Sequence, residues 1–424
     1  MSNSYLKLAN GVDGFFIKND RFNTTVLSVN FYLPLKSETI SAYALLPYVL
    51  TSCSNEYRDF SKLNFKLNML YGADLVVSSN RVMDMQHVKI AISVINDEFT
   101  INKNSVINEA MDLLISLIFN PAVLNNSFFE DDVEREKRKL LENIAAEVNE
   151  KRIFAKNRML EIMFENSPYG ISKYGTEAGA KALTGQILYN AWQEMLKTAY
   201  VRVQVIGKQL PGGVFEQITK CFNNFNRENI VDYKNVTRLE KANNIKQVTE
   251  YFNVTQGKLV MGFSSEICGQ NAYDLLLATD IFGGGPYSNL FTNVREKLSL
   301  CYYCSASAVR GKGFVMVQSG VEAENAEQAQ TEILNQLESI KSGNISDFTF
   351  SASQKAISGA LLAYNDNLGG IDQWYSANIT QNEPISPEEA ANIVNSITKQ
   401  DVINAAKGIN LNTVYRLMPK KEGE

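Results

Sequence analysis

At 424 residues the chain is too long for one ordinary hydrophobic core, so two or three domains are expected. Its 45% hydrophobic and 21% charged residues read as globular, and a net charge of −5 with interspersed signs argues against nucleic acid as the main partner. No apolar run approaches the roughly 18 residues that span a bilayer, which argues against a membrane protein.

The opening MSNSYLKLANGVDG has neither a basic nor an apolar leader region and reads as mature structure. Residues 5 to 17 alternate around Gly11 and Gly14, as in a hairpin, and Thr24 to Leu35 is a β-branched and aromatic strand. The apolar run Ile40 to Leu50 reads as a buried helix. A second helix, Phe60 to Tyr71, stops at Gly72, and two strands follow between Ala73 and Asn96. Ile107 to Phe119 and the charged stretch Phe128 to Phe164 carry helical spacing. Thr184 to Thr198 is a further helix, and Val201 to Ile206 a strand. The polar segment Phe222 to Lys246 reads as a linker.

The order then repeats. Thr249 to Ser264 reads as strands, Ala272 to Phe282 and Tyr287 to Leu298 as helices, and Tyr302 to Glu322 as a strand pair. Helices are expected at about 325 to 340, 347 to 364, 386 to 395 and 399 to 407, with a last strand from Asn412 to Met418. Tyr43 answers Tyr273, and the corner LNMLYGADL answers EKLSLCYYC. The expectation is an α+β protein of two homologous halves, each an antiparallel sheet packed with helices: residues 1–221, a linker 222–246, and 247–424.

Chemistry is constrained by a single histidine, His87, because zinc hydrolases take two or three imidazoles and Ser-His or Cys-His enzymes need one near the nucleophile. His87 lies in the alternating strand QHVKIAI and reads as a strand histidine without catalytic partners. Five scattered cysteines form no disulfide framework and fit a reducing cytoplasm. Cys301-x-x-Cys304, like Cys53, Cys221 and Cys268, reads as core packing. Gly283 to Gly285 has no GK[ST] after it and reads as a helix stop that lets backbone approach a chamber. Trp192 and Trp374 read as core or interface anchors.

The stretch FGGGPYSNLFTNVREKLSLCYYCSA resembles the GGG-x-S-x-LF-x-x-VREK-x-GLAYS pattern of the pitrilysin and mitochondrial processing peptidase family of zinc metallopeptidases. SPYGISKYGTEA and VRVQVIGK resemble segments of that family's first domain, and the likeness covers nearly the whole chain. It implies the processing-peptidase-like (LuxS-type) metallohydrolase fold, with two halves around a peptide-holding chamber. Active members carry HxxEH on the first long helix. Here the landmarks place those positions on Ala44, Pro47 and Tyr48, and the third-ligand position on Asn143, with Glu142 and Glu147 nearby. None supplies an imidazole, so the chain is expected to hold no zinc or other cofactor.

Some bacterial members divide the work between two chains, one with HxxEH and one with an Arg/Tyr pair. The resemblance carries that pair onto Arg295 and Tyr302 as donors to a substrate carbonyl. Tyr303 is expected on the opposite strand face from Tyr302. The implied partners are a peptide substrate and an HxxEH-bearing homologous subunit that holds the zinc, or a second copy of this chain. The segments ALLPYVL and LNMLYGADL look most like a smaller group described as modification-associated proteins for elongation factor P, in the 5-aminopentanol pathway. The leading expectation is a non-catalytic subunit. The alternatives are a scaffold or peptide-binding protein without proteolysis, and an independent peptidase with a relocated site.

Overall fold

Alternation along the strands decides how each sheet is covered. In Thr24–Pro34 the odd residues Leu27, Val29, Phe31 and Leu33 enter the main apolar cluster of the first half. The even residues Ser28, Asn30 and Tyr32 point to the other face, as a period of two requires. The computed structural model describes residues 3–52, 54–101, 105–381 and 384–420.

The strands are β1 (Asn3–Ala9), β2 (Val12–Lys18), β3 (Thr24–Pro34), β4 (Asp74–Val82), β5 (Met85–Ile95), β6 (Val123–Leu124), β7 (Ser127–Phe128), β8 (Tyr200–Gly207), β9 (Lys246–Phe252), β10 (Gly257–Ser265), β11 (Cys301–Val309), β12 (Phe314–Val321) and β13 (Ile409–Pro419). The helices are α1 (Ile40–Leu50), α2 (Phe60–Met69), α3 (Val106–Phe119), α4 (Glu130–Asn149), α5 (Lys151–Met163), α6 (Glu177–Lys181), α7 (Gly185–Thr198), α8 (Val214–Phe222), α9 (Tyr273–Gly283), α10 (Ala326–Lys341), α11 (Asp347–Leu362), α12 (Leu368–Ala377), α13 (Pro387–Ser396) and α14 (Lys399–Lys407).

Two units form. Unit 1 comprises residues 1–145, 171–235 and 365–379, and unit 2 comprises 146–170, 236–364 and 380–424. Unit 1 holds a sheet of order β1-β2-β8-β3-β5-β4, and unit 2 one of order β11-β12-β10-β13-β9. Both are mixed rather than wholly antiparallel, because β2 runs parallel to β8 and β9 parallel to β13. In each, the parallel pair joins an early strand of that half to its last, a trace of the repeated order. The architecture is α+β in two helix-and-sheet halves.

Besides the unexpected short elements β6, β7, α6 and α8, three local outcomes differ from the sequence reading. The stretch 128–164 is not one helix: Glu150 stands in extended conformation and caps α5, its carboxylate accepting from the Arg152 amide at 3.1 Å. A helix, α12, forms where none is expected, with Asn367 accepting from the Gly370 amide at 2.7 Å. Residues Leu290–Lys297 are π-helical rather than α-helical.

Among the described residues, each sheet has its main apolar core on one face and a single α-helix on the other. In unit 2 that helix is α5, whose Ala155, Met159 and Met163 meet Val260, Met316, Tyr415 and Leu417. Gly262 makes the approach possible, since a Cβ there would lie 2.4 Å from the Met163 sulfur. In unit 1 the helix is α12, and the surface beneath it is polar. Asp372 accepts from Ser28 Oγ at 2.5 Å and Gln204 Nε2 at 2.6 Å and pairs with Lys89. Tyr32 donates to the Ser376 carbonyl at 2.8 Å. Arg202, buried in the same face, lies over the rings of Tyr5 and Phe15, and its Nε and Nη1 have no hydrogen-bond partner.

Candidate functional site

Helix α1 is buried along almost its whole length, Pro47 included. Ala44 belongs to the apolar core of unit 1 and offers no donor atom. Pro47 likewise has no side-chain donor. Tyr48 alone turns outward, 38% exposed, onto a cavity of about 510 Å³ lined also by Arg58, Asp132, Arg135, Glu136 and Lys139.

The carboxylates of that cavity already have cations. Arg135 reaches Asp132 at 2.9 Å and Glu136 at 3.2 Å, Lys139 reaches Glu136 at 2.9 Å, and Arg58 lies 3.9 Å from Asp132. Burial pushes the Tyr48 phenol up, which keeps it protonated. Asn143 is exposed further along α4. Glu142 is exposed as well, and Glu147 accepts from Asn157 Nδ2 at 3.2 Å.

His87 sits on the sheet face away from α1. Its Nε2 is 2.9 Å from Asn30 Oδ1 and its ring stacks on Tyr32. Burial, reinforced by Lys89, brings it down to about 3. Among the described residues no group of three or more His, Cys, Asp or Glu is arranged to hold a metal ion. A zinc ion does not fit a donor set of one phenol, one amide and carboxylates bound to guanidinium and ammonium groups.

The second candidate region is the corner from α9 into β11. The three glycines make room for packing within unit 2. A Cβ on Gly283 would lie 2.6 Å from the Ala306 amide nitrogen, so α9 can lie on β11 only because that residue is glycine. Gly284 leaves room for the Asp280 carboxylate, which accepts from Tyr287 at 2.8 Å, and Gly285 lies against the Tyr287 ring.

The π-helical segment buries Leu290 and Val294 and leaves Arg295 partly exposed. The Arg295 guanidinium stands 4.6 Å from the centre of the Phe291 ring and 3.6 Å from the Glu296 carboxylate. The chain leaves this segment through Ser299 at φ +53, a conformation that favours glycine, at the place where the resembled pattern has glycine. β11 then begins, and Tyr302 is 59% exposed, its hydroxyl donating to Glu322 Oε1 at 2.6 Å. That hydrogen bond raises the phenol and keeps it a neutral donor.

Tyr303 is half-buried, with the Arg152 guanidinium 4.5 Å from its ring centre. Arg295 and Tyr302 therefore stand on adjoining elements, each with a partner of its own. Sequence reasoning missed Phe291 and Glu322, whose types and spacing carry no signal. Cys301 and Cys304 are buried in the core of unit 2. Cys221 and Cys268 are half-buried, and Cys53 lies outside the described residues. Trp192 is a core residue that donates to the Ile118 carbonyl at 2.8 Å, and Trp374 is buried on α12.

Comparison with known proteins agrees with this picture. A model described as the peptidase M16 inactive domain matches residues 182–357. A probable inactive metalloprotease, YmfF of Bacillus subtilis, is 27% identical over 409 residues, covering 96% of each chain. The crystal structure of a conserved protein from Enterococcus faecalis covers 100% of both chains with a TM-score of 0.92 at 26% identity. An M16 inactive-domain structure from Pseudomonas fluorescens shares the fold, with a TM-score of 0.79 at 14% identity over 100% of each chain. No helix among the described residues is long and apolar enough to cross a membrane. One histidine cannot supply the two that HxxEH requires, and the chain is similar over nearly its whole length to a probable inactive metalloprotease and over residues 182–357 to the M16 inactive domain.

Proposed function

We propose that the chain is the non-catalytic subunit of a two-chain, cytoplasmic, zinc peptidase-like complex, in which it forms half of a peptide-holding chamber. Zinc resides on an HxxEH-bearing homologous subunit. Arg295 and Tyr302 bind the carbonyl oxygen of the peptide. The observation that carries this reading is the presence of a partly exposed guanidinium and an exposed neutral phenol on adjoining elements of unit 2. As a carbonyl oxygen gains negative charge, a fixed cation and a protonated hydroxyl stabilise it more than they stabilise the resting peptide. Glu322 keeps the proton on Tyr302 until the carbonyl oxygen takes over as acceptor.

The test is reconstitution with an HxxEH-bearing homologue encoded in the same genome. Arg295→Ala and Tyr302→Phe should each lower peptide turnover at least tenfold while co-purification is unchanged. Unchanged turnover by an intact pair overturns the role of the two residues. Self-association with no affinity for the homologue overturns the two-chain arrangement.

A second reading, a peptide-binding scaffold in a protein-modification pathway, is favoured by one feature. β4 is the outer strand of its sheet and packs beside α1, so a peptide can add there as a further strand with no metal involved. The modification of elongation factor P, implied by the resemblance of the first-half segments, is the setting to try first. Binding of that factor without its cleavage by the reconstituted pair would favour the scaffold.

A further inference from the structure

Cys301 and Cys304 are three residues apart on β11, a spacing that puts side chains on opposite faces of a regular strand. The register slips between them: Cys301 pairs with Val321 and Tyr303 with Gly320, which leaves Tyr302 as the extra residue of a bulge. Both thiols consequently enter the same apolar core, 8% and 6% exposed, while Tyr302 is carried outward. Their partners on β12, Val321 and Ser319, are two residues apart. The Cα separation across the bulge is therefore roughly 6.7 Å, at the upper end of the ~4.4–6.8 Å that a disulfide bridges. The thiols also feel each other. A hydrogen bond with Cys304, aided by Ser319 and the charge of Arg295, brings Cys301 down to about 7 against the effect of burial, and Cys304 is pushed up.

We propose that Cys301 and Cys304 are a reversible oxidation site, a dithiol that a hydroperoxide converts to a disulfide across the bulge presenting Tyr302. The Cys301 thiolate attacks one oxygen of the peroxide. The O–O bond breaks, the departing hydroxide takes up the proton that Cys301 released, and Cys301 becomes a sulfenic acid. The Cys304 sulfur then attacks that sulfur, the S–O bond breaks, and the hydroxyl leaves with the Cys304 proton. Two electrons pass from the two sulfurs to hydrogen peroxide, which ends as two waters. Closing the bridge draws the two Cα atoms together and tightens the bulge, so Tyr302 shifts against Glu322. Oxidation also removes the thiolate that attracts Arg295. The oxidation itself is independent of the peptide-binding reading; its effect on a bound peptide rests on it.

The test uses the full chain and hydrogen peroxide. Cleavage after Lys297 and Arg310 releases both cysteines on one peptide. After peroxide that peptide should lose two hydrogens in mass, resist alkylation at both cysteines, and recover with dithiothreitol. Amide exchange across residues 300–304 should change in parallel. In Cys304→Ser, dimedone should trap Cys301 as the sulfenic acid, and in Cys301→Ser it should leave Cys304 unmodified. Full alkylation of both cysteines after peroxide overturns the proposal, as does a disulfide that leaves exchange at Tyr302 unaltered. Should a variant fail to fold, the wild-type mass and alkylation results decide. These readouts need no ligand, so they stand whether or not Arg295→Ala affects peptide turnover.

Discussion

The second faces of the two sheets solve one problem with opposite chemistry. In unit 2, α5 covers its sheet through methionine, tyrosine and aliphatic contacts, with a glycine beneath the two sulfurs. In unit 1, α12 covers its sheet through a buried carboxylate that collects a hydroxyl, an amide and an ammonium group. The apolar cover is held by area removed from water, and it tolerates small shifts because methionine adapts. The polar cover is directional. Ser28, Gln204 and Lys89 meet Asp372 in one placement of the helix, so the seam fixes position more than it adds net stability.

Breaking the polar cover should have the largest effect. Asp372→Ala leaves the mostly covered Lys89 without its carboxylate and orphans the buried Ser28 and Gln204 donors; the expected loss is about 3 kcal/mol in denaturant unfolding. Replacing both charged residues, Asp372→Leu with Lys89→Met, should restore most of it. If the double variant is as unstable as the single one, the seam does more than neutralise charge.

The matching change under α5, Met159→Ala, removes a fully buried side chain and should cost about 2–4 kcal/mol. A flexible, apolar interface predicts partial collapse into the cavity, hence a value toward the low end.

The two faces should also respond differently to acid. His87 belongs to the polar face and is held near 3 in the folded chain, against about 6.5 when unfolded. Above the unfolded value neither state binds a proton. Below it only the unfolded chain does, so His87 costs stability as pH falls from ~6.5 toward 3, by roughly 2 kcal/mol at pH 5. Melting curves at pH 7 and pH 5 should show this loss, and His87→Gln should reduce it. An unchanged difference between the two pH values would remove His87 from the account.

The smallest expected effect is at the corner. Ser299→Gly relieves a left-handed conformation but frees the unfolded chain, for a net gain of about 0.5 kcal/mol in thermal unfolding.

How much of this was legible in the sequence follows from which interactions are local. Periodicity located the main strands and the helices from α9 to α11, because apolar spacing is a property of neighbouring residues. The break at Glu150 was not legible, since charged residues on both sides keep a helical pattern. Neither was α12, whose Gly369 and Gly370 read as loop until Asn367 caps them. The polar residues of β3 were visible in its partial alternation. That they answer to Asp372 was not, because the partner lies far along the chain. At the candidate site, the empty motif on Ala44, Pro47 and Tyr48 was readable from residue types alone. The π-helical turn before Ser299 and the Glu322 acceptor of Tyr302 depend on backbone geometry that no spacing announces.

The crossing of helices between halves bears on how the protein is made. The strands of the first sheet are all synthesised once Gly207 emerges, but the helix that covers them follows only with Leu368–Ala377. At ~5–20 residues per second the ribosome leaves that face open for on the order of ten to thirty seconds. An apolar face would spend the interval as a site for aggregation. Ser28, Asn30, His87, Lys89 and Gln204 can instead hold water until α12 arrives. Ribosome-stalled chains ending before residue 365 should remain soluble, and carrying Lys89→Leu with Gln204→Leu they should recruit chaperones. The polarity that makes this seam exacting in the finished protein makes it patient in the unfinished one.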